Sequence, residues 1–116
     1  MAKIIVVGSG AVATVGVQKC AQNYHVFQEI VVASRHKEKV MELVEKCSKY
    51  PTKVIAEQVD AENIDAMVQL INKYHPDLVM NLALPYTNIP IMEACIATRA
   101  HYLDPACPEL RATARC

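Results

Sequence analysis

The residues that most constrain the chain are the first thirteen. Lys3 to Val7 is a short apolar run that breaks directly into Gly8-Ser9-Gly10-Ala11-Val12-Ala13. A buried strand opening into G-x-G-x-x-A is the turn that sets a dinucleotide pyrophosphate on a helix N-terminus. Gly8 permits the tight turn, Gly10 lets backbone N–H groups approach phosphate without a Cβ in the way, and Ala13 lets the next helix pack closely on the strand. The chain has three glycines, and two of them are spent here. Gly16, the third, shares a helix face with Val12, where a strand could pass close by. A glycine turn without a ligand is the plain alternative. The strand before it and the apolar helix pattern after it argue for the ligand.

The next strand, Glu29 to Ala33, ends in Ser34-Arg35-His36-Lys37. An NAD-type site carries an Asp or Glu about 20 residues past the glycines to accept the ribose hydroxyls. The nearest carboxylates here are Glu29, ahead of the strand, and Glu38, in the next helix. A carboxylate would repel a 2′-phosphate, whereas an arginine fork binds one bidentately and stacks on adenine. Ser34 can add a hydroxyl donor. The expected cofactor is therefore NADP(H), with Arg35 on its 2′-phosphate; His36 and Lys37 could equally be a solvated helix start.

Strands and helices then alternate. Helices are expected over Ala11 to Asn23, over Lys37 to Lys49 with a Val40, Leu43, Val44, Cys47 stripe, and after Asp60 to Asn63 with Ile64, Met67, Val68, Ile71 and Tyr74 inward. A fourth, capped by Thr87 or Asn88, carries Ile91, Met92, Cys95 and Ile96. Lys53 to Val59, Leu78 to Ala83 and Tyr102 to Asp104 are the remaining strands. Right-handed crossovers between them give a Rossmann-like α/β fold, a doubly wound parallel sheet of five strands in order 3-2-1-4-5. Residues 1–104 make one nucleotide-binding domain and 105–116 an irregular tail. The edge beyond the fifth strand is left unpaired, which favours self-association into a homo-oligomer.

The 53% hydrophobic content fits a sheet covered on both faces. Twelve basic and twelve acidic residues leave no footprint for nucleic acid or an anionic membrane. No run approaches a transmembrane helix, and a cytoplasmic setting is the default. The five cysteines show no C-x-x-C pair and no histidine at ligand spacing, so neither a zinc site nor a disulfide framework is expected. Cys20, Cys47 and Cys95 are read as core. His25, His36, His75 and His101 are scattered, and no catalytic constellation is visible.

Gly8-Ser9-Gly10-Ala11-Val12, Ala33-Ser34-Arg35, Val59-Asp60-Ala61, Asn81 to Tyr86 and Tyr102-Leu103-Asp104 together resemble the amino-terminal domain of the saccharopine dehydrogenase family, in particular its carboxynorspermidine dehydrogenase branch. The resemblance runs from Lys3 to about Asp104. It implies an enzyme that reduces, with NADPH, an imine formed from a small-molecule amine and a semialdehyde. It also implies that Ser9, Gly10, Ala11 and Val12 line the pyrophosphate and that Ser34, Arg35 and His36 hold the 2′-phosphate end. Asp60 and Ala61 would sit beside adenine, although Asp60 has an equal claim to cap the following helix. Ala83, Leu84, Pro85 and Tyr86 would approach the nicotinamide ribose, as the carboxyl end of a strand also suggests. Tyr86 either donates a hydrogen bond there or packs over the proline turn.

After Asp104 the pattern departs from the family, and Pro105 to Cys116 reads as a truncation ahead of the catalytic domain or as an altered reading of the end. The chain alone is expected to bind cofactor without turnover. A stand-alone nucleotide-sensing module is the competing class; such modules generally keep the ribose acid that is missing here.

Overall fold

In the computed structural model, which describes residues 2–23, 25–82 and 88–103, strands and helices alternate along the described residues. They are β1 (Ala2–Val7), α1 (Ala11–Gln22), β2 (Phe27–Ser34), α2 (Lys37–Lys46), β3 (Lys53–Gln58), α3 (Ile64–Tyr74), β4 (Leu78–Asn81), α4 (Asn88–Thr98) and β5 (His101–Leu103). The strands form one parallel sheet in the order β3-β2-β1-β4-β5, as the crossover rule requires.

The central strands are apolar on both faces because helices cover both. Ile4 and Val6 of β1 point into a core built with Val17, Cys20, Val40, Leu43 and Cys47 of the α1–α2 layer. Ile5 and Val7 point the other way, into a core with Met67, Ile71, Ile91 and Cys95 of the α3–α4 layer. All four β1 side chains are essentially inaccessible. Each such burial stabilises by about 1.5–3 kcal/mol, so the strand with the least freedom is the one that carries the glycine turn. Cys20, Cys47 and Cys95 are free and buried, as read from the sequence.

Several boundaries differ from expectation for local reasons. Helix α2 stops at Lys46 rather than Lys49. The Cys47 N–H is shared between the Leu43 and Val44 carbonyls, and tight turns follow before Pro51. Thr52 then anchors the entry to β3, its buried hydroxyl donating to the Ala21 and Phe27 carbonyls. Strand β5 begins at His101, which pairs with Leu78, so His101 lies in the strand and not before it. Its expected last residue, Asp104, and the tail at 105–116 lie outside the described residues, as do Ala83 and Thr87. His75 closes α3 in the left-handed region (φ 49) with its N–H on the Ile71 carbonyl.

Two inward faces are corrected. Ile96 of α4 is 78% exposed, because that helix packs through Ile91, Ala94 and Cys95 and residue 96 lies off that ridge. In α3 the face is centred on Met67, Leu70 and Ile71, while Ile64 sits at the rim. No helix among the described residues is long and apolar enough to cross a membrane.

Candidate functional site

The carboxyl ends of β1 to β4 open onto one cleft of ≈ 440 Å³. Its floor is the glycine turn. Gly8 has φ 133, a conformation that side-chain-bearing residues rarely adopt, and donates its N–H to the Ala33 carbonyl at 2.8 Å. Gly10 differs. Its backbone (φ −82, ψ −166) is open to any residue, and a Cβ built there would meet nothing within 4 Å. Neither strain nor packing explains a glycine at this position; a methyl group would only take up cleft space.

Helix α1 begins at Ala11 without a side-chain cap and without an acidic residue in its first turn. The first N–H groups of a helix lack intrahelical partners, and their dipoles sum to a partial positive charge. Here they open on the cleft, with Gly10, Ala11 and Val12 on its wall. Ala13 is fully buried where α1 meets the sheet. Gly16, one turn on, would bring a Cβ within 2.8 Å of Leu82 Cδ1, so its close neighbour lies just past β4. Leu82 in turn lines the cleft and donates its N–H to the Val7 carbonyl at 2.8 Å.

The β2 end supplies the polar wall. Ser34 is nearly buried (9% exposed); its hydroxyl meets the Ser9 hydroxyl at 3.0 Å and accepts the His36 N–H at 3.3 Å. The Arg35 carbonyl accepts from Gln58 Nε2 at 3.2 Å, which ties this loop to the end of β3. The Arg35 side chain is exposed and, among the described residues, pairs with no carboxylate. Asp60, Ala61 and Glu62 form the opposite wall. Asp60 does not cap α3: its Oδ1 accepts the Glu62 N–H within a turn, and Asn63 takes the cap by accepting from the Ala66 N–H at 3.1 Å.

The cleft therefore brings together Gly8 to Val12, Ser34 to His36, Asp60 and Ala61. Ala83, Leu84, Pro85 and Tyr86 lie outside the described residues. Lys39 and Glu62 join the wall without having been singled out in the sequence. For Lys39 the usable signal was its spacing: it shares an α2 face with Leu43 and Lys46, and all three line a smaller adjoining recess of ≈ 290 Å³. Among the described residues no three His, Cys, Asp or Glu side chains gather as metal ligands would.

Residues 4–115 match the family model described as saccharopine dehydrogenase NADP binding domain. A carboxynorspermidine synthase of Vibrio cholerae serotype O1 is 38% identical over 107 residues, which covers 87% of this chain and 26% of that protein. A carboxyaminopropylagmatine dehydrogenase of Synechocystis sp. is 35% identical over 106 residues, covering 91% of this chain and again 26% of the relative. The chain thus spans about a quarter of the length of these curated relatives. The apo saccharopine dehydrogenase (L-Glu forming) of Saccharomyces cerevisiae superposes with a TM-score of 0.75 at 18% identity, over 97% of this chain and 24% of that one, a likeness of fold.

Proposed function

Because the chain belongs to the saccharopine dehydrogenase NADP-binding domain family, we propose that its cleft holds NADP(H) for the reduction of an imine formed from an amine and a semialdehyde, as in a carboxynorspermidine dehydrogenase. NADP(H) is the cofactor of that family, and the family's enzymes are oxidoreductases. The observation that carries the residue assignment is the end of β2: an exposed Arg35 on the cleft wall, with no carboxylate paired to it among the described residues. The room left at Gly10 meets the separate requirement that phosphates approach the backbone.

On this reading Gly8 shapes the turn, and Ser9 with the N–H groups of Gly10, Ala11 and Val12 takes the pyrophosphate. Arg35 and His36 take the 2′-phosphate, with Ser34 closing that end. Asp60 and Ala61 face the adenine. Ala83, Leu84, Pro85 and Tyr86 are assigned to the nicotinamide ribose from the family pattern alone. When bound, NADPH supplies a hydride for the imine carbon. On this reading the domain's own residues bind and orient the cofactor, and residues 1–104 are read as a cofactor domain whose amine and semialdehyde sites lie elsewhere in a longer protein, at work in the cytoplasm. The purified 116-residue chain should accordingly show no NADPH consumption above the uncatalysed rate with diaminopropane and aspartate semialdehyde.

Titration calorimetry with NADPH and NADH tests the cofactor assignment. Arg35→Ala should weaken NADPH by about 1.5–3 kcal/mol, the range for a charge-assisted hydrogen bond, and leave NADH nearly unchanged. Equal losses for both cofactors would remove Arg35 from the 2′-phosphate.

A further inference from the structure

We propose that Ser34 is a positioning residue that acts on the pyrophosphate through Ser9, and is not itself a ligand of the 2′-phosphate. The inference rests on the cleft holding NADP(H), and it reassigns one residue of that reading.

The argument is a proton count. A serine hydroxyl has one proton and two acceptor positions. One acceptor position of Ser34 is filled by the His36 N–H at 3.3 Å. The 3.0 Å contact between the two hydroxyls needs one proton, from either side. Either hydroxyl can donate it; if Ser9 did, the proton left over would be that of Ser34, the more buried of the two, and it would have to turn toward the cleft that both serines line. If Ser34 donates, its acceptor position and its proton are both used, and the proton left over is that of Ser9. The Ser9 proton is then free, on a residue more open than Ser34 and next to the uncapped start of α1.

The result is a one-way series of donors: His36 N–H to Ser34 Oγ–H to Ser9 Oγ–H. Each bond polarises the next, so the last proton is the best donor of the three. It is offered at the helix N-terminus, where the helix dipole favours an anion. A 2′-phosphate has only acceptor oxygens and could be met by Ser34 only with the proton already given to Ser9. The single Ser34 proton cannot serve both ends. The series also spans 25 residues of sequence, joining the glycine turn to the end of β2.

Three probes separate the two roles in the purified 116-residue chain: NADPH, NADH and adenosine 2′-phosphate, which has the 2′-phosphate without the pyrophosphate. Ser34→Ala should weaken NADPH and NADH alike, by about two- to tenfold, the range for one neutral hydrogen bond, and leave adenosine 2′-phosphate unchanged. Ser9→Ala should show the same pattern, and the double variant should be no worse than either single one. A loss on NADPH and adenosine 2′-phosphate with NADH spared would overturn the proposal, as would losses that add in the double variant. Should Ser34→Ala not fold, Ser34→Cys fills the same space with a much weaker hydrogen-bonding group and is read against the same two outcomes. Arg35→Ala is run in parallel. Losses there on NADPH and adenosine 2′-phosphate alone support the 2′-phosphate assignment, whatever the serines do, so failure of one reading is distinct from failure of the other.

Discussion

Gly10→Ala separates a glycine kept for the fold from one kept for a ligand. The backbone at residue 10 suits alanine, and a Cβ there meets nothing within 4 Å. Replacing glycine at a compatible site stabilises by about 0.4–1 kcal/mol, through the lost freedom of the unfolded chain. Alanine is a poorer N-cap than glycine, by about 1 kcal/mol at most. The two effects offset, so the net change should stay within about 1 kcal/mol, or less than about 8 °C in Tm. Binding should respond quite differently. The methyl group stands where phosphate oxygens would reach the first N–H groups of α1, and each charge-assisted bond lost there costs about 1.5–3 kcal/mol. One such loss is roughly tenfold or more in Kd, equal for NADPH and NADH because the pyrophosphate is common to both. Differential scanning fluorimetry with and without cofactor, alongside calorimetry, reads both quantities. A large drop in Tm would mean that the glycine is structural. An unchanged Kd would mean that the phosphates do not pass residue 10.

Three further outcomes follow from the core and its edges. Met67→Ala empties a fully buried position and should cost about 2–5 kcal/mol in urea unfolding, and a loss under 1 kcal/mol would show that the α3 face repacks. The Glu57 carboxyl lies below its usual range: burial alone would raise it, but hydrogen bonds from Tyr74 (2.7 Å) and Lys73 (3.0 Å) and the Lys73 charge outweigh burial. A carboxylate lowered by folding adds stability above its ordinary value of 4.5, and that stability is lost as pH falls through the folded value; wild type should therefore lose more stability than Glu57→Gln between about pH 7 and about pH 3, and parallel losses would refute the pairing. Burial pushes the Cys95 thiol up to about 11 and raises Cys20 and Cys47 as well. In a Cys107→Ser, Cys116→Ser background all three should resist a thiol reagent at neutral pH until denaturant is added, and rapid native labelling would contradict the core placement.

Much of the fold was legible because the sequence signals were local or near-local. The run from Lys3 to Val7 can only be a strand if Gly8 to Ala13 turns as it does, and alternating apolar segments with right-handed crossovers leave few orders for the sheet. The strand order and the placement of Cys20, Cys47 and Cys95 came through on those grounds. What escaped depends on which neighbour a residue meets. Ile96 fits an inward stripe by spacing, yet only the packing of α4 decides that Ala94 goes in and Ile96 stays out. Asp60 and Asn63 are both good caps on paper, and the turn at residues 60–63 gives the cap to Asn63. Lys39 enters the site because α2 leans beside the start of α1, and the Ser9–Ser34 contact joins positions that share no local motif.

Gly16 has a use that reaches past helix packing. Its missing side chain lets Leu82 stand 2.8 Å from where a Cβ would be, and the same Leu82 forms part of the cleft wall. Residue 16 is thus a spacer, setting how far that wall stands back from the ligand's room. Adding one methyl group would push the end of the leucine aside, and the open side available to it is the cleft. Width is then adjustable from a position in α1 that is not itself on the cleft wall, separately from the groups that tell one dinucleotide from another. A glycine inside a helix costs about 1 kcal/mol relative to alanine, and the clearance at Leu82 is what that cost retains.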